Sequence, residues 1–329
     1  MIAWVQVASA LLLMSASSAP AIGVDPSLPR HQPRPVDVPR SARYQTPEGV
    51  IKVVGYNDMR EMLEPMVAIF TATHPGLRFK LDLPGTRFAP AALAKGDSAF
   101  APMGAELTPS QLAEYRAATG ADPIAFRVAH ASLDPRALSG PLAIFVHRDN
   151  PLASLTMEQV AAVFTGEAKR WGDLGLKGPW AERVVNVYGV ERGAPLALAL
   201  QKSAMGGRAF GPQMTGVPQS ADVVKRVSED PWSIGFSAAM RATPGVRALA
   251  LASRAGAGPV APTEEAIVAG RYPLDRFLLI YAQRPLTPLV REFLQLVLSR
   301  EGQAAIAATP QRYLPLSAPD AAVERAKLE

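Results

Sequence analysis

The sequence contains no cysteine, and it has only four histidines among its 329 residues. Without cysteine the chain can form no disulfide bond, no thiolate metal site, no cysteine nucleophile and no lipid-modified cysteine at a mature N-terminus. The histidines lie far apart, and none has a neighbour at the spacing typical of metal ligands. We therefore expect neither a metal ion nor a cofactor.

Local motifs of the common enzyme classes are missing as well. The sequence contains no G-x-S-x-G, H-E-x-x-H, Walker or G-x-G-x-x-G pattern, and these patterns position a serine nucleophile, a zinc ion or a nucleotide phosphate. Three acidic residues in predicted loops, Asp58, Asp97 and Glu191, leave a carboxylate-based catalytic site open. We predict that the chain is not an enzyme, and catalysis is the third of three hypotheses.

Clusters of basic residues are also absent, although the chain carries a formal net charge of +5 at pH 7. Its lysines and arginines are scattered, and no RNA-binding or zinc-finger pattern occurs. Nucleic-acid binding depends mainly on dense contacts between basic side chains and phosphates. We predict no nucleic-acid partner, whereas an acidic small ligand or partner fits the charge.

The N-terminal segment has the features of an export signal. An apolar run spans residues 2–14, and Ala19-Pro20-Ala21 matches the A-x-A cleavage pattern. The run is shorter than the roughly 20 residues that a membrane-spanning helix needs. We predict a cleaved signal peptide at residues 1–21, with the site near Ala21, and a protein of the periplasm or cell exterior.

The next segment, residues 22–48, is rich in proline and poor in apolar periodicity. It contains six prolines, a composition typical of an extended tether or a disordered leader. From residue 49 onward, short β-branched or alternating runs alternate with segments of helical periodicity. Asp58 is placed to cap the first helix, Thr156 and Gly166 to begin and end a later one, and one long helix is expected from residue 288 into residues 301–308. The β-α-β-α-β succession predicts a parallel sheet flanked by helices.

Four stretches point together to a known family. They are VHRDNPLASLTMEQVAAVFTGEAKRWGDL (146–174), VSEDPWSIGFSAAM (227–240), PTEEAIVAGRYPLDRFLLIYAQ (262–283) and FLQLVLSREGQAAIAATPQRYLPL (293–316). In this order and spacing they resemble the phosphate-type periplasmic solute-binding proteins of ABC importers. The likeness extends over about residues 49–317.

The resemblance implies an α/β, two-lobed periplasmic-binding-protein fold of type II, in which two crossover strands act as a hinge. Lobe 1 would comprise residues 49–147 and 234–317, lobe 2 would comprise residues 148–233, and residues 318–329 would form a C-terminal tail. The crossovers are expected near residues 141–147 and 233–237. Ligands of open α/β sheets bind at the carboxyl ends of strands, which independently favours a site between the lobes.

The resemblance also implies a phosphate held by hydroxyls, backbone N–H groups, one arginine and one aspartate from four loops. Three of these loops supply the predicted ligand-binding residues, which are Asn57, Asp58, Thr86, Arg87, Glu191, Arg192 and Gly193. In the remaining loop the positions of the family's acidic residue, serine and arginine carry Ala99, Gly104 and Ala105.

The strand-to-helix turn YGVERGAP, residues 188–195, also departs from the family because it lacks hydroxyls and contains a proline. An uncompensated buried anion costs several kcal/mol, and a charge-assisted hydrogen bond returns only about 1.5 to 3 kcal/mol. The sequence therefore predicts a retained scaffold with a rebuilt site.

Two other hypotheses on function remain from the sequence. The first is a periplasmic solute-binding protein that closes on a small oxyanion, phosphate or another solute, and presents it to a membrane ABC permease. The second is an envelope interaction or structural protein that keeps the fold without a solute, which a cleft filled by Tyr56, Phe88, Val190 and Leu196 would favour.

Overall fold

The structure is a computed structural model that describes residues 23–329. The predicted signal peptide and its cleavage site near Ala21 lie outside the described residues. No helix in residues 23–329 is long and apolar enough to cross a membrane.

Strands and helices alternate along most of the described chain. The strands are β1 (Val50–Val54), β2 (Arg78–Asp82), β3 (Ala101–Met103), β4 (Ile124–His130), β5 (Leu142–His147), β6 (Ser154–Thr156), β7 (Asn186–Val190), β8 (Met214–Val217), β9 (Ser233–Ala238), β10 (Val246–Ala248), β11 (Ala250–Ala252) and β12 (Phe277–Ala282). The α-helices are α1 (Arg60–Thr73), α2 (Ala89–Ala94), α3 (Pro109–Thr119), α4 (Met157–Thr165), α5 (Pro195–Met205), α6 (Ser220–Glu229), α7 (Glu264–Val268), α8 (Pro288–Val297), α9 (Arg300–Ala307) and α10 (Ala318–Arg325).

Lobe 1 contains a pair of parallel strands, β1 and β2, and a three-stranded sheet in the order β3-β12-β4. β12 runs antiparallel to both of its neighbours, so the lobe mixes strand directions. Successive side chains of a strand point to opposite faces. Leu278 and Ile280 accordingly pack into the main core of the lobe, and Leu279 and Tyr281 into a smaller cluster that includes Leu93 of α2. The sheet is thus buried on both faces.

Lobe 2 is organised around a five-stranded sheet in the order β10-β5-β9-β7-β8. β7 is parallel to β8 and β9, whereas β5 is antiparallel to β9 and β10. The core of this lobe includes Phe145, Phe164, Trp171 and Phe236, which are fully buried. A second core, which includes Phe70, Phe100, Phe126 and Phe293, belongs to lobe 1.

The chain crosses between the lobes at places other than those the sequence predicted. The expected crossovers at residues 141–147 and 233–237 are wrong, because β5 and β9 pair with each other inside the sheet of lobe 2. The observed crossings are residues 131–141, after β4, and residues 272–276, before β12. Residues 142–147 and 234–271, which the sequence assigned to lobe 1, therefore belong to lobe 2, where Leu249, Leu251 and Ile267 pack into the core.

The two crossing segments lie side by side and are hydrogen-bonded to each other. The Ala131 N–H donates to the Arg276 carbonyl at 2.8 Å, and the Leu142 N–H donates to the Leu274 carbonyl at 3.0 Å. The Tyr272 hydroxyl donates to the Leu142 carbonyl at 2.8 Å. The lobes are joined by one continuous double-stranded connection.

The proline-rich leader is not a free tether, which corrects the expectation for residues 22–48. It forms almost no regular structure, but Leu28 is only 1% exposed and packs into the core of lobe 1. His31 Nε2 lies 2.9 Å from Glu292 Oε1 in a buried pair, and His74 Nε2 lies 2.8 Å from the Arg34 carbonyl. These partners are distant in sequence, so the local composition did not indicate them.

The C-terminal region departs from the sequence prediction in two places. The expected long helix is broken between α8 and α9, where the Ser299 hydroxyl accepts from the Gly302 N–H at 3.3 Å and begins the second helix. Residues 318–329, expected as a tail, form α10 and a final 3-10 turn against lobe 1, with Ala321 and Leu328 in the core.

Candidate functional site

A cavity of about 480 Å³ lies in the cleft between the two lobes. Lobe 1 and the first crossing supply Tyr56, Thr86, Gly104 and Ser139 to its wall, and lobe 2 supplies Val190, Leu196, Ser220 and Arg241. Arg276, at the end of the second crossing, also lines it. The cleft is therefore bounded by both lobes and by both connections.

Two helices of lobe 2 begin at this cavity. α5 starts at Pro195 and α6 at Ser220, and neither helix has a side-chain cap at its N-terminus. The first N–H groups of a helix have no intrahelical partner, and the helix dipole makes this end attractive to anions. Two N-termini without side-chain caps therefore offer free N–H groups to an anion at this cavity, although the first turn of α6 also carries Asp222, which does not line it.

Arg276 adds a full positive charge at the junction of the lobes. Its Nη1 donates to the Gly140 carbonyl at 3.1 Å and its Nη2 to the Gly104 carbonyl at 3.2 Å. Burial lowers its pKa from the ordinary value, but an arginine remains protonated under all physiological conditions. Because guanidinium has five N–H donors, donors remain for a ligand in the cavity.

Tyr56 supplies a neutral phenol beside this arginine. Burial is the main cause that raises the pKa of Tyr56, and the neighbouring Asp58 charge raises it further. The phenol is therefore protonated at neutral pH and retains its O–H donor.

No carboxylate lines the 480 Å³ cavity within the described chain. A carboxylate would accept a hydrogen bond from a protonated anion and would repel a fully ionised one. The wall instead offers two arginines, hydroxyl groups and helix N-termini. Electrostatically, the cavity favours an anion with its full charge.

Thr86 is the one member of the predicted ligand-binding set that lines the cavity. It begins the 3-10 turn Thr86–Phe88, and its Oγ1 accepts from the Gly104 N–H at 3.3 Å. Arg87, the next residue, is exposed and stacks its guanidinium 4.6 Å from the centroid of the Phe88 ring. Arg87 thus points to solvent.

Asp58 does not line the cavity, and its carboxylate is hydrogen-bonded to other parts of the protein. It is 9% exposed, and its Oδ2 accepts from the Leu138 N–H at 2.9 Å and from the Tyr313 hydroxyl. The expected N-cap role is wrong, because Met59 occupies that position and no side chain caps α1. Asp58 instead joins the first crossing to the C-terminal part of lobe 1. Asn57, beside it, is exposed and does not line the cavity.

The turn that carries Glu191, Arg192 and Gly193 is exposed, and none of the three lines the cavity. The Arg192 guanidinium donates from Nη2 to the carbonyls of Gly211 and Met214, at 3.1 and 3.4 Å. These are backbone contacts within lobe 2. The sequence indicated correctly that this turn links a strand to a helix, β7 to α5, but its long side chains are turned outward.

Arg276 and Ser139 line the cavity, but the sequence did not predict either of them as a ligand-binding residue. Arg276 lies within the quoted stretch at residues 262–283, and its place at the cleft follows from the position of the second crossing. Ser139 is 2% exposed, and its hydroxyl donates to the Gly104 carbonyl at 3.0 Å. No local motif marks either residue, because both belong to the connections between lobes.

Gly104, at the position that the resemblance aligns with the family's serine, lies directly against the ring of Tyr56. An added Cβ at Gly104 would lie 2.4 Å from a ring atom of Tyr56. A contact that short requires the ring to shift, so in this structure the ring occupies the space that a serine side chain would use. A Gly104→Ser substitution is therefore expected to displace the Tyr56 ring.

The cleft remains open despite its apolar wall. Tyr56, Val190 and Leu196 line the cavity, but they leave about 480 Å³ between the lobes. Phe88, the fourth residue expected to fill it, is 42% exposed. The filled cleft that would favour a structural protein without a solute is not observed.

Comparison with known proteins agrees with this architecture. The model of the PBP superfamily domain matches residues 41–301. The phosphate-binding protein PstS of Pseudomonas aeruginosa is 32% identical over 317 residues, which cover 93% of this chain and 91% of the relative. The sequence spans nearly the whole length of that relative.

Solved structures share the fold. An ABC-type phosphate transport receptor from Vibrio cholerae has a TM-score of 0.55 at 19% identity, covering 80% of this chain and 99% of its own. PstS from Borrelia burgdorferi has a TM-score of 0.55 at 17% identity, covering 82% and 99%. These neighbours confirm the two-lobed periplasmic-binding-protein fold. By sequence match and by fold, the chain belongs to the phosphate-type periplasmic solute-binding proteins of ABC importers, within the PBP superfamily.

Proposed function

We propose that this chain is the periplasmic binding component of an ABC importer, which captures a phosphate-class oxyanion in the cleft between the lobes and delivers it to a membrane permease. One observation carries the proposal. The uncapped N-termini of α5 and α6 open on a cavity that Arg276 also lines, and no carboxylate in the described chain faces it. The names of the relatives, which are phosphate-binding proteins, support the same ligand class.

The assigned ligand groups are the α5 and α6 N-termini, the Thr86 hydroxyl and the Arg276 guanidinium. This set differs from the one that the sequence predicted, because arginine is supplied from the second crossing and not from the turn at Arg192. Since Arg276 already holds carbonyls of the first crossing and of lobe 1, it couples the anion to the connection between the lobes. Closure around the anion would occur about this connection.

Two ion pairs link the lobes on either side of the connection. Glu106 of lobe 1 and Lys202 of α5 lie 2.5 Å apart across the cleft, and Arg312 and Glu264 lie 3.0 Å apart near the crossings. The first pair is more than half exposed on both sides, so it stabilises by little more than about 0.2 to 1 kcal/mol. Such a contact can close the cleft reversibly.

Calorimetric titration of residues 22–329 with phosphate tests the proposal. Arg276→Gln is expected to weaken phosphate binding at least ten-fold, because hydrogen bonds to charged groups contribute about 1.5 to 3 kcal/mol. Arg192→Gln is the matched control, since it removes the same charge outside the cavity, and it should change affinity less than two-fold. Thermal unfolding of both variants verifies that they fold.

If only Arg192→Gln lost affinity for phosphate, the anion site would instead lie at the turn of residues 190–196. Arg276→Lys separates charge from geometry. It keeps the positive charge but loses the planar fork of donors, so an intermediate affinity is expected. If the unsubstituted chain bound neither phosphate nor sulfate nor small carboxylates, the proposed function would be rejected.

A further inference from the structure

A second and larger cavity, of about 680 Å³, continues the cleft on the far side of Arg276. It shares Ala105, Pro195 and Arg276 with the anion cavity. From Pro195 it follows α5 as far as Gly207, just beyond the end of the helix. A helix of this length extends about 16 Å, at roughly 1.5 Å per residue. The two cavities therefore form one elongated space that begins at the helix N-terminus.

The walls of the second cavity are mainly apolar and come from both lobes. Leu107 and Phe277 of lobe 1 face Leu198 and Ala199 of α5. The Arg127 guanidinium lies 4.5 Å from the centroid of the Phe277 ring, and both residues line the cavity. The ion pair between Glu106 and Lys202 belongs to the same wall.

A bare phosphate ion does not account for this space. A tetrahedral oxyanion has the size of only a few water molecules, each of which occupies about 30 Å³. Pockets for organic ligands have volumes of about 300 to 1,000 Å³ and are lined mostly by apolar groups with a few polar anchors. The second cavity matches this description, whereas the anion cavity with its N-termini and arginines supplies the anchors.

We propose that the natural solute is an organic phosphate monoester, whose phosphate group binds at the anion cavity and whose apolar substituent lies along α5 in the second cavity. This inference rests on the proposed function, because it uses the same anion site. A monoester has three terminal oxygens for the helix N-termini and arginine donors. Its fourth oxygen carries the substituent and faces the shared boundary at Ala105, Pro195 and Arg276. Lys202 and Glu106 then close the cleft beside the substituent.

The test compares inorganic phosphate, methyl phosphate and phenyl phosphate by calorimetry on residues 22–329. Methyl phosphate has the ester charge without apolar bulk, so it isolates the contribution of the second cavity. Phenyl phosphate is expected to bind at least ten-fold more tightly than methyl phosphate, a difference of about 1.4 kcal/mol. Equal affinity for the two esters would overturn the inference and leave the proposed function intact.

The variant Ala199→Phe fills the second cavity from α5 without touching the anion cavity. It should remove most of the preference for phenyl phosphate and leave the affinity for inorganic phosphate within two-fold. Ala113→Phe, at an exposed position on α3, is the control for added bulk and should change neither affinity. If Ala199→Phe still preferred phenyl phosphate over methyl phosphate, the assignment of the second cavity to the substituent would be overturned. If the unsubstituted chain bound none of the three anions, both the proposed function and this inference would be rejected.

Discussion

Replacing Asp58 with alanine distinguishes a structural carboxylate from a ligand. The change removes the acceptor of the Leu138 N–H and of the Tyr313 hydroxyl. A buried donor left without a partner costs about 1 to 3 kcal/mol. Tyr313 is 1% exposed and loses its acceptor fully, whereas the Leu138 amide belongs to a partly buried contact that water can replace in part. We expect a loss of about 3 kcal/mol in the free energy of unfolding, a large share of the roughly 5 to 15 kcal/mol of a typical domain.

Urea unfolding, followed by tryptophan fluorescence at neutral pH, measures this loss. Asp97→Ala is the control, because Asp97 is a partly exposed acid whose ion-pair partner, Arg43, lies 3.6 Å away. It should change the free energy of unfolding by less than about 0.5 kcal/mol. Tyr313→Phe completes a double-mutant cycle with Asp58→Ala, in which strong coupling is expected for a direct contact. A loss below about 1 kcal/mol accompanied by abolished phosphate binding would refute the structural role and restore Asp58 as a ligand.

Two further predictions concern the anion and the leader. Because no carboxylate in the described chain faces the cavity, phosphate should bind more tightly at pH 8 than at pH 5.5, and sulfate should compete within about ten-fold by calorimetry. Tighter binding at pH 5.5 that Glu191→Gln abolishes would instead identify Glu191 as the acceptor of a phosphate proton. Leu28→Ala should cost about 2 to 4 kcal/mol in urea unfolding because Leu28 is 1% exposed. Val323→Ala is the control, since this position is 62% exposed, and it should lower the free energy of unfolding by less than about 0.5 kcal/mol. If Leu28→Ala had an effect as small as that of Val323→Ala, the leader would not be packed against lobe 1 in solution.

Local signals in the sequence were sufficient for most helices and strands. Thr156 accepts from the Gln159 N–H at 3.1 Å and begins α4, and Gly166 ends it with a φ of 88°. Both features depend only on residues within a few positions of each other. The family resemblance added the two-lobed fold, which no local pattern contains.

Contacts between distant segments determined what the sequence did not predict. β12 inserts between β3 and β4, although all the strands from β5 to β11 lie between β4 and β12 in the chain. That pairing moves the second crossing to residues 272–276 and brings Arg276 to the cleft. The leader is held in the same way by Glu292, which follows His31 by 261 residues. The sequence also did not predict where the Arg192 side chain lies. Its rotamer places the guanidinium against the carbonyls of Gly211 and Met214, which are about 20 residues away in the chain.

The close approach of Tyr56 and Gly104 has a consequence for redesign of the cleft. A Cβ at position 104 would lie 2.4 Å from a ring atom of Tyr56, so any side chain there requires the ring to shift or to be replaced by a smaller side chain. Because Tyr56 lines the anion cavity, a substitution at position 104 also changes the wall of that cavity. The two positions therefore have to be varied together when the specificity of the cleft is altered.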